Sequence, residues 1–161
     1  MSTSPAVAVV HAERYHDFSA GHRVAGHESK CALFHGHNYR VHFKCQAPSL
    51  DKVGRVVDFS VIKATLCEWL EANWDHKFLA WEIDPVVSFL LRASAGLSEG
   101  ALFENSLVLV PFNPTAENMA LHLLNEVGPR LLEGSEVILV EVLIEETRKC
   151  SARASLMGYV E

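Results

Sequence analysis

The strongest constraint on this chain is a stretch of strict alternation. HGHNYRVHFKCQ, residues 35–46, puts His35, His37, Tyr39, Val41 and Phe43 on one face of a strand, and Asn38, Arg40, His42 and Lys44 on the other. A strand with one apolar face must bury it against other elements, which predicts a half-buried sheet. The row ends in two imidazoles, and polar groups at the margin of a core need a hydrogen-bond partner or a ligand.

His35 and His37 lie two residues apart, so their rings leave the same face about 7 Å apart along the chain. Two imidazoles so placed reach one ion at roughly 2.0–2.1 Å per bond, the distance zinc requires. A third ligand is expected from His22, which ends the preceding strand, shares parity with Phe18 and Ala20, and meets the pair if the two strands form a hairpin. Three neutral imidazoles with an open position describe a catalytic zinc site, whereas structural sites carry four protein ligands and several thiolates. The plainer alternative is a set of satisfied polar residues at a sheet edge. It accounts less well for a pair with a cysteine four residues upstream and a third histidine one strand back. Of the nine histidines, His11, His16, His27, His42 and His122 have no such spacing and read as surface residues.

That upstream cysteine, Cys31, has two open roles: a fourth, sphere-closing ligand, or a thiolate whose pKa is lowered by the nearby metal. Cys45 ends the apolar row and Cys67 lies within a helix, so both read as packing residues. No C-x-x-C pair occurs and no disulfide framework is implied.

Around this strand, the N-terminal side supplies another, which runs over residues 6–17 into a glycine-marked bend at FSAGHR; a loop covers AGHESKCALF. DFSVIKATLCEWLEANW is a helix with Ile62, Leu66, Trp69 and Leu70 as its stripe and Asp58 as its cap. NPTAENMALHLLNEVGPRL is a second helix, capped by Thr115, striped by Met119, Leu123, Leu124 and Val127, and ended by Gly128-Pro129. EVILVEVLIEET and SARASLMGYVE are two neighbouring antiparallel strands. Residues 83–112 are the least legible, with a short helix over PVVSFLLRAS and a short strand over NSLVLVPF. The expectation is one α+β domain over residues 1–161, with an antiparallel four-stranded sheet, two helices on one face, and an extra segment at about 83–112.

Two carboxylate sites add chemistry. Asp75-His76 follows the first helix; adjacent strand residues point apart, so the pair acts as a relay only if the backbone turns there or another chain supplies the partner. Otherwise it is a helix-terminal polar loop. Glu146 continues the row Ile138, Val140, Val142 and Ile144, while Glu141 and Glu145 share the other face. A carboxylate ending an apolar row is costly to desolvate unless donors meet it. A guanidine-like heterocycle edge, as in a pterin or guanine, offers two parallel N–H donors, unless the strand ends earlier and the side chain is solvated.

With 14 Lys+Arg against 20 Asp+Glu, the net charge of −6 argues against nucleic acid or an anionic membrane as partner. No signal-like start and no run of about 20 apolar residues is present, which reads as cytoplasmic.

FSAGHR, C-A-L-F-H-G-H, VVDF, DHKFL, PTAENMA and EET, in this order over residues 10–160, resemble the 6-pyruvoyl-tetrahydropterin synthase / 6-carboxy-tetrahydropterin synthase family. The resemblance implies the tunnelling fold, with subunit sheets joined into a barrel, helices outside, and a homohexamer of two trimers with active sites between subunits. It implies one zinc per subunit on His22, His35 and His37. It further implies Cys31 as general base, Asp75 and His76 as proton relay, and Glu146 with Thr147 binding the pterin. The three residues between Cys31 and the HGH triplet match the bacterial 6-carboxy enzymes. The implied substrate is 7,8-dihydroneopterin triphosphate, giving 6-carboxy-5,6,7,8-tetrahydropterin, acetaldehyde and triphosphate on the route to queuosine and 7-deazapurines. Alternatives are a 6-pyruvoyl-type or related side-chain lyase, and a non-catalytic zinc-binding oligomeric domain. Arg23, Lys30, Lys52, Arg55, Arg148 and Lys149 are unranked candidates for the triphosphate.

Overall fold

The computed structural model describes residues 8–159. Ala6 and Val7 of the first predicted strand, and Val160 and Glu161 of the last, lie outside the described residues. The strands are β1 (Ala12–His22), β2 (His35–Gln46), β3 (Lys77–Trp81), β4 (Leu107–Val110), β5 (Ile138–Thr147) and β6 (Cys150–Ser155). They form one sheet in the order β4-β3-β1-β2-β5-β6. The β1, β2, β5 and β6 pairings are antiparallel, as expected, but β3 pairs β1 and β4 pairs β3 in parallel. The sheet is therefore mixed and six-stranded, not four-stranded. KFLAW comes only one short turn after a helix and is too short to show a period, which hid β3 in the sequence.

The predicted bend at FSAGHR is strand instead. Gly21 lies opposite Gly36, and a side chain at Gly36 would come within 2.9 Å of the Ala20 carbonyl oxygen, so the glycines serve close strand approach.

Among the described residues, four helices accompany the sheet. α1 runs through Phe59–Ile62, a wide π turn at Lys63–Cys67, and Glu68–Asn73. Asp58 caps it, accepting from the Ser60 amide at 2.8 Å. α2 (Pro85–Ser94) and α3 (Gly100–Ser106) come from the segment before β4. α4 runs through Ala116–His122, a second wide turn at Leu123–Val127, and Gly128–Leu131, capped by Thr115. Gly128-Pro129 does not end α4, because the preceding wide turn already shifts the bonding register where the proline amide is missing. A side chain at Gly128 would meet Leu139 Cδ2 at 2.4 Å, so this glycine lets the helix lie against β5.

The core joins the predicted faces. Tyr39, Val41 and Phe43 of β2 are buried with Ile62, Leu66 and Leu70 of α1 and with Met119, Leu123, Leu124 and Val127 of α4. Cys45 and Cys67 are buried there too, and burial pushes the Cys45 thiol up to about 12. His122 departs from the surface reading and packs between Trp74 and Phe112. The register between β2 and β5 slips between Lys44 and Cys45, so that Leu139 faces the core instead of Ile138, which is 38% exposed. Beyond the slip Val142 and Ile144 keep the expected face opposite Phe43 and Val41. The other side of β5 carries Glu141, buried and bonded to Lys44 at 2.6 Å and to Ser155 at 2.9 Å, with Arg153 alongside.

Candidate metal centre and active site

The β1–β2 ladder pairs His22 directly with His35 and Ala20 with His37, which brings the three imidazoles to one end of the hairpin. Their ring centroids are 4.4, 4.9 and 5.1 Å apart. Glu146 joins them from β5, with Oε1 2.8 Å from His37 Nε2 and 3.7 Å from His22 Nε2. One ligand atom from each of the four lies within 4.8 Å of all the others. Such a set of three ring nitrogens and a carboxylate oxygen matches the donors of a divalent transition metal.

The hydrogen bonds orient the rings for this role. His22 Nδ1 donates to the Pro114 carbonyl at 2.7 Å, and His35 Nδ1 to the Leu33 carbonyl at 2.8 Å, leaving each Nε2 with its lone pair. His22 Nε2 and His37 Nε2 are buried and make no hydrogen bond; the short approach of Glu146 to His37 is off the line that one needs. Buried ring nitrogens without partners, converging on one point, fit a metal. Burial also holds both rings below the ordinary 6.5, with His35 acting in the same direction and Glu146 opposing. The neutral form so favoured is the one that ligates. Tyr39, next inward on β2, is fully buried beneath the cluster.

Glu146 owes its place to an irregularity. Glu145 pairs Ser151 and Thr147 pairs Cys150, which leaves Glu146 as the extra residue of a bulge aimed at the histidines. The parity of β5 indicated the correct face; the bulge, and the four-donor grouping, had no sequence signal.

The backbone does turn at Asp75-His76. His76 has φ +56°, the left-handed region, and its Nδ1 donates to Asp75 Oδ2 at 2.5 Å. Asp75 Oδ1 accepts from the Ser19 amide at 2.9 Å. Burial alone would raise the Asp75 carboxyl, but the Ser19 amide and His76 outweigh it and hold it below 3.8. The His76 ring itself is 83% exposed. Two adjoining clefts share Ser19, Asn38 and His76. One, of about 580 Å³, also holds Asp75, Thr147 and Arg148; the other, of about 590 Å³, is bordered by His35 and His37.

Residues 11–156 match the family model described as 6-pyruvoyl tetrahydropterin synthase. The chain belongs to this family. Relatives named 6-carboxy-5,6,7,8-tetrahydropterin synthase include that of Rickettsia typhi, 34% identical over 134 residues, covering 83% of this chain and 91% of the relative. That of Haemophilus influenzae is 26% identical over 136 residues, 81% of this chain and 87% of its own. Among solved structures, an uncharacterized protein from Wolinella succinogenes superposes with TM-score 0.81 at 24% identity, covering 92% of this chain and 99% of that one. The Caenorhabditis elegans 6-pyruvoyl tetrahydropterin synthase gives TM-score 0.62 at 21% identity over 92% of this chain and 96% of its own. Both show the fold.

Within the family frame, Cys31 lies on a short 3-10 turn, Lys30–Ala32, partly buried and outside the four-donor group. Thr147 Oγ1 accepts from the Lys149 and Cys150 amides at 3.2 and 3.1 Å, so its hydroxyl shapes the β5–β6 turn at the cleft's edge. Arg23 is paired with Asp84, and Arg55 with Asp51 and Asp58. Sequence reasoning missed the Pro114 carbonyl, since a backbone acceptor leaves no mark in residue identity.

Proposed function

We propose that this chain is a zinc-dependent 6-carboxy-5,6,7,8-tetrahydropterin synthase, a lyase acting on 7,8-dihydroneopterin triphosphate in queuosine and 7-deazapurine biosynthesis. With one water, the products are 6-carboxy-5,6,7,8-tetrahydropterin, acetaldehyde and triphosphate. The observation that carries the reading is the convergence of His22, His35 and His37, with buried Nε2 atoms on His22 and His37 that lack partners, beside a carboxylate on a bulge.

His22, His35 and His37 would hold the zinc, one ion per subunit. When bound, it acidifies hydroxyls of the substrate side chain as it acidifies water. Glu146 receives the pterin's parallel N–H groups, and Thr147 borders that pocket. Cys31 removes and returns protons at the side-chain carbons, and His76 serves as its counterpart, with Asp75 fixing the imidazole tautomer. The exposed His76 ring and the two sheet edges, β4 and β6, favour an assembly in which sheets join into a barrel and Cys31 of one subunit meets His76 of the next. The assembly proposed is a hexamer of two trimers in the cytoplasm. Among the described residues no helix is long and apolar enough to cross a membrane. Arg23 and Arg55 already face carboxylates, which favours Arg148, in the cleft with Asp75 and His76, as a triphosphate contact.

Incubation of the zinc-loaded protein with 7,8-dihydroneopterin triphosphate tests the reading. Acetaldehyde with a 6-carboxypterin is expected, and a 6-pyruvoyl product overturns it.

A further inference from the structure

The buried partner of His22 comes from 92 residues away in the chain, and the side chain of Asn113 ties its turn by hydrogen bonds to the segment after His22. Pro114 lies in the turn before α4. Among the described residues no backbone–backbone hydrogen bond joins that turn to the segment following His22. The link is the Asn113 amide: its Oδ1 accepts from the Ala25 amide at 2.9 Å and its Nδ2 donates to the Ala25 carbonyl at 2.8 Å. Only this orientation of the amide satisfies both Ala25 groups. The Asn113 carbonyl is fixed in turn by the Thr115 amide at 2.8 Å and Asn118 Nδ2 at 2.9 Å. The Pro114 carbonyl therefore cannot drift from β1 while the clamp holds. A carbonyl only accepts, so His22 must keep its proton on Nδ1 and present Nε2 to the cluster.

We propose that Asn113 is a positioning residue for the metal centre: by clamping the Asn113–Thr115 turn to Ala25 it selects the Nδ1–H tautomer of His22. The proposal rests on the metal-site reading above. The partners that orient a ligating imidazole are worth about 10–100-fold in metal affinity.

The test compares native protein with Asn113→Ala and Asn113→Asp, the latter keeping the acceptor toward the Ala25 amide while losing the donor. Long-range 1H–15N spectra of the metal-free proteins report the His22 tautomer, and cobalt(II) titration followed by visible absorption reports affinity. The native spectrum is expected to show Nδ1–H. Asn113→Ala should mix the tautomers and weaken cobalt binding about 10–100-fold, and Asn113→Asp should do the same to a smaller degree. If Asn113→Ala does not fold, the Asn113→Asp spectrum decides. A native His22 protonated on Nε2, or folded variants with the native tautomer and affinity, overturns the proposal. A native protein that binds no cobalt defeats the metal reading instead, and the tautomer comparison still judges Asn113.

Discussion

Replacing Glu146 with glutamine separates two roles, metal ligand and the pterin anchor proposed above, because the carboxylate lies beside the histidines yet stays partly open to solvent. Its carboxylate is 22% exposed and approaches His37 and His22 through the same oxygen. As an anchor, it accepts two N–H groups from the heterocycle as charge-assisted bonds, each worth about 1.5–3 kcal/mol. Glutamine keeps one acceptor and turns a donor toward the second N–H, so about 3–4 kcal/mol is lost, or a roughly 10²–10³-fold weaker pterin affinity. The metal should survive, since three imidazoles remain and a neutral amide in place of the carboxylate would remove an influence that raises the pKa of His22 and His37. Zinc content by atomic absorption and pterin affinity by fluorescence titration with neopterin measure the two effects separately. Loss of zinc with unchanged neopterin affinity would refute the anchor reasoning and make Glu146 the fourth ligand.

Three further outcomes follow from the same geometry. Cys31→Ala should keep stoichiometric zinc, since the cysteine lies outside the four-donor group, while turnover is lost; loss of zinc would favour the binding-domain alternative. Asp75→Asn should lower kcat about 10²–10⁴-fold with zinc retained, because the Ser19 amide claims the one remaining oxygen and an NH2 donor then faces His76 in place of the acceptor that sets its tautomer; a native rate would remove the pair from the reaction. The metal-free protein should lose stability in two stages on acidification. Burial holds His22 and His37 below 6.5, so the unfolded chain takes up protons first and stability falls as the pH drops from 6.5; Glu141 and Asp75, held below 4.5 and 3.8, add a second loss at lower pH. Urea midpoints at about pH 7.5, 5.5 and 4 check the sign, and a midpoint that rises on acidification contradicts it.

How far the sequence could be read depends on whether a feature repeats along the chain. β2 spans twelve residues with an unbroken period of two, so its face, and with it the common side of His35, His37 and the core, followed from residue order alone. Parity extended that inference to His22, and the oxygen-bearing caps Asp58 and Thr115 marked α1 and α4 because their side chains bond the first helical amides. Single events left no such trace. β3 is a strand of five residues, and its parallel partners are supplied by distant segments. The bulge that aims Glu146, the left-handed turn at His76 and the Pro114 acceptor are each set by tertiary contacts at one residue.

The same contrast accounts for residues 83–112. Their helices α2 and α3 lead into β4, which extends the sheet beyond β3, on the side of β1 away from β2, so the β1–β2–β5 arrangement that carries the candidate metal donors is not interrupted. The segment nonetheless reaches the site's margin. Asp84, buried and capping α2, lies 3.3 Å from Arg23, the residue after His22. Arg23 in turn stands over the Phe34 ring, 5.6 Å from its centroid, and Phe34 packs on Phe78 of β3. Phe34 directly precedes His35 and follows the Cys31 turn, so the bracket from α2 through Arg23 presses on the loop between the cysteine and the histidine pair. A change in this segment would then shift the Cys31 turn before it shifted the histidines, whose positions are fixed by strand pairing and by the turn before α4.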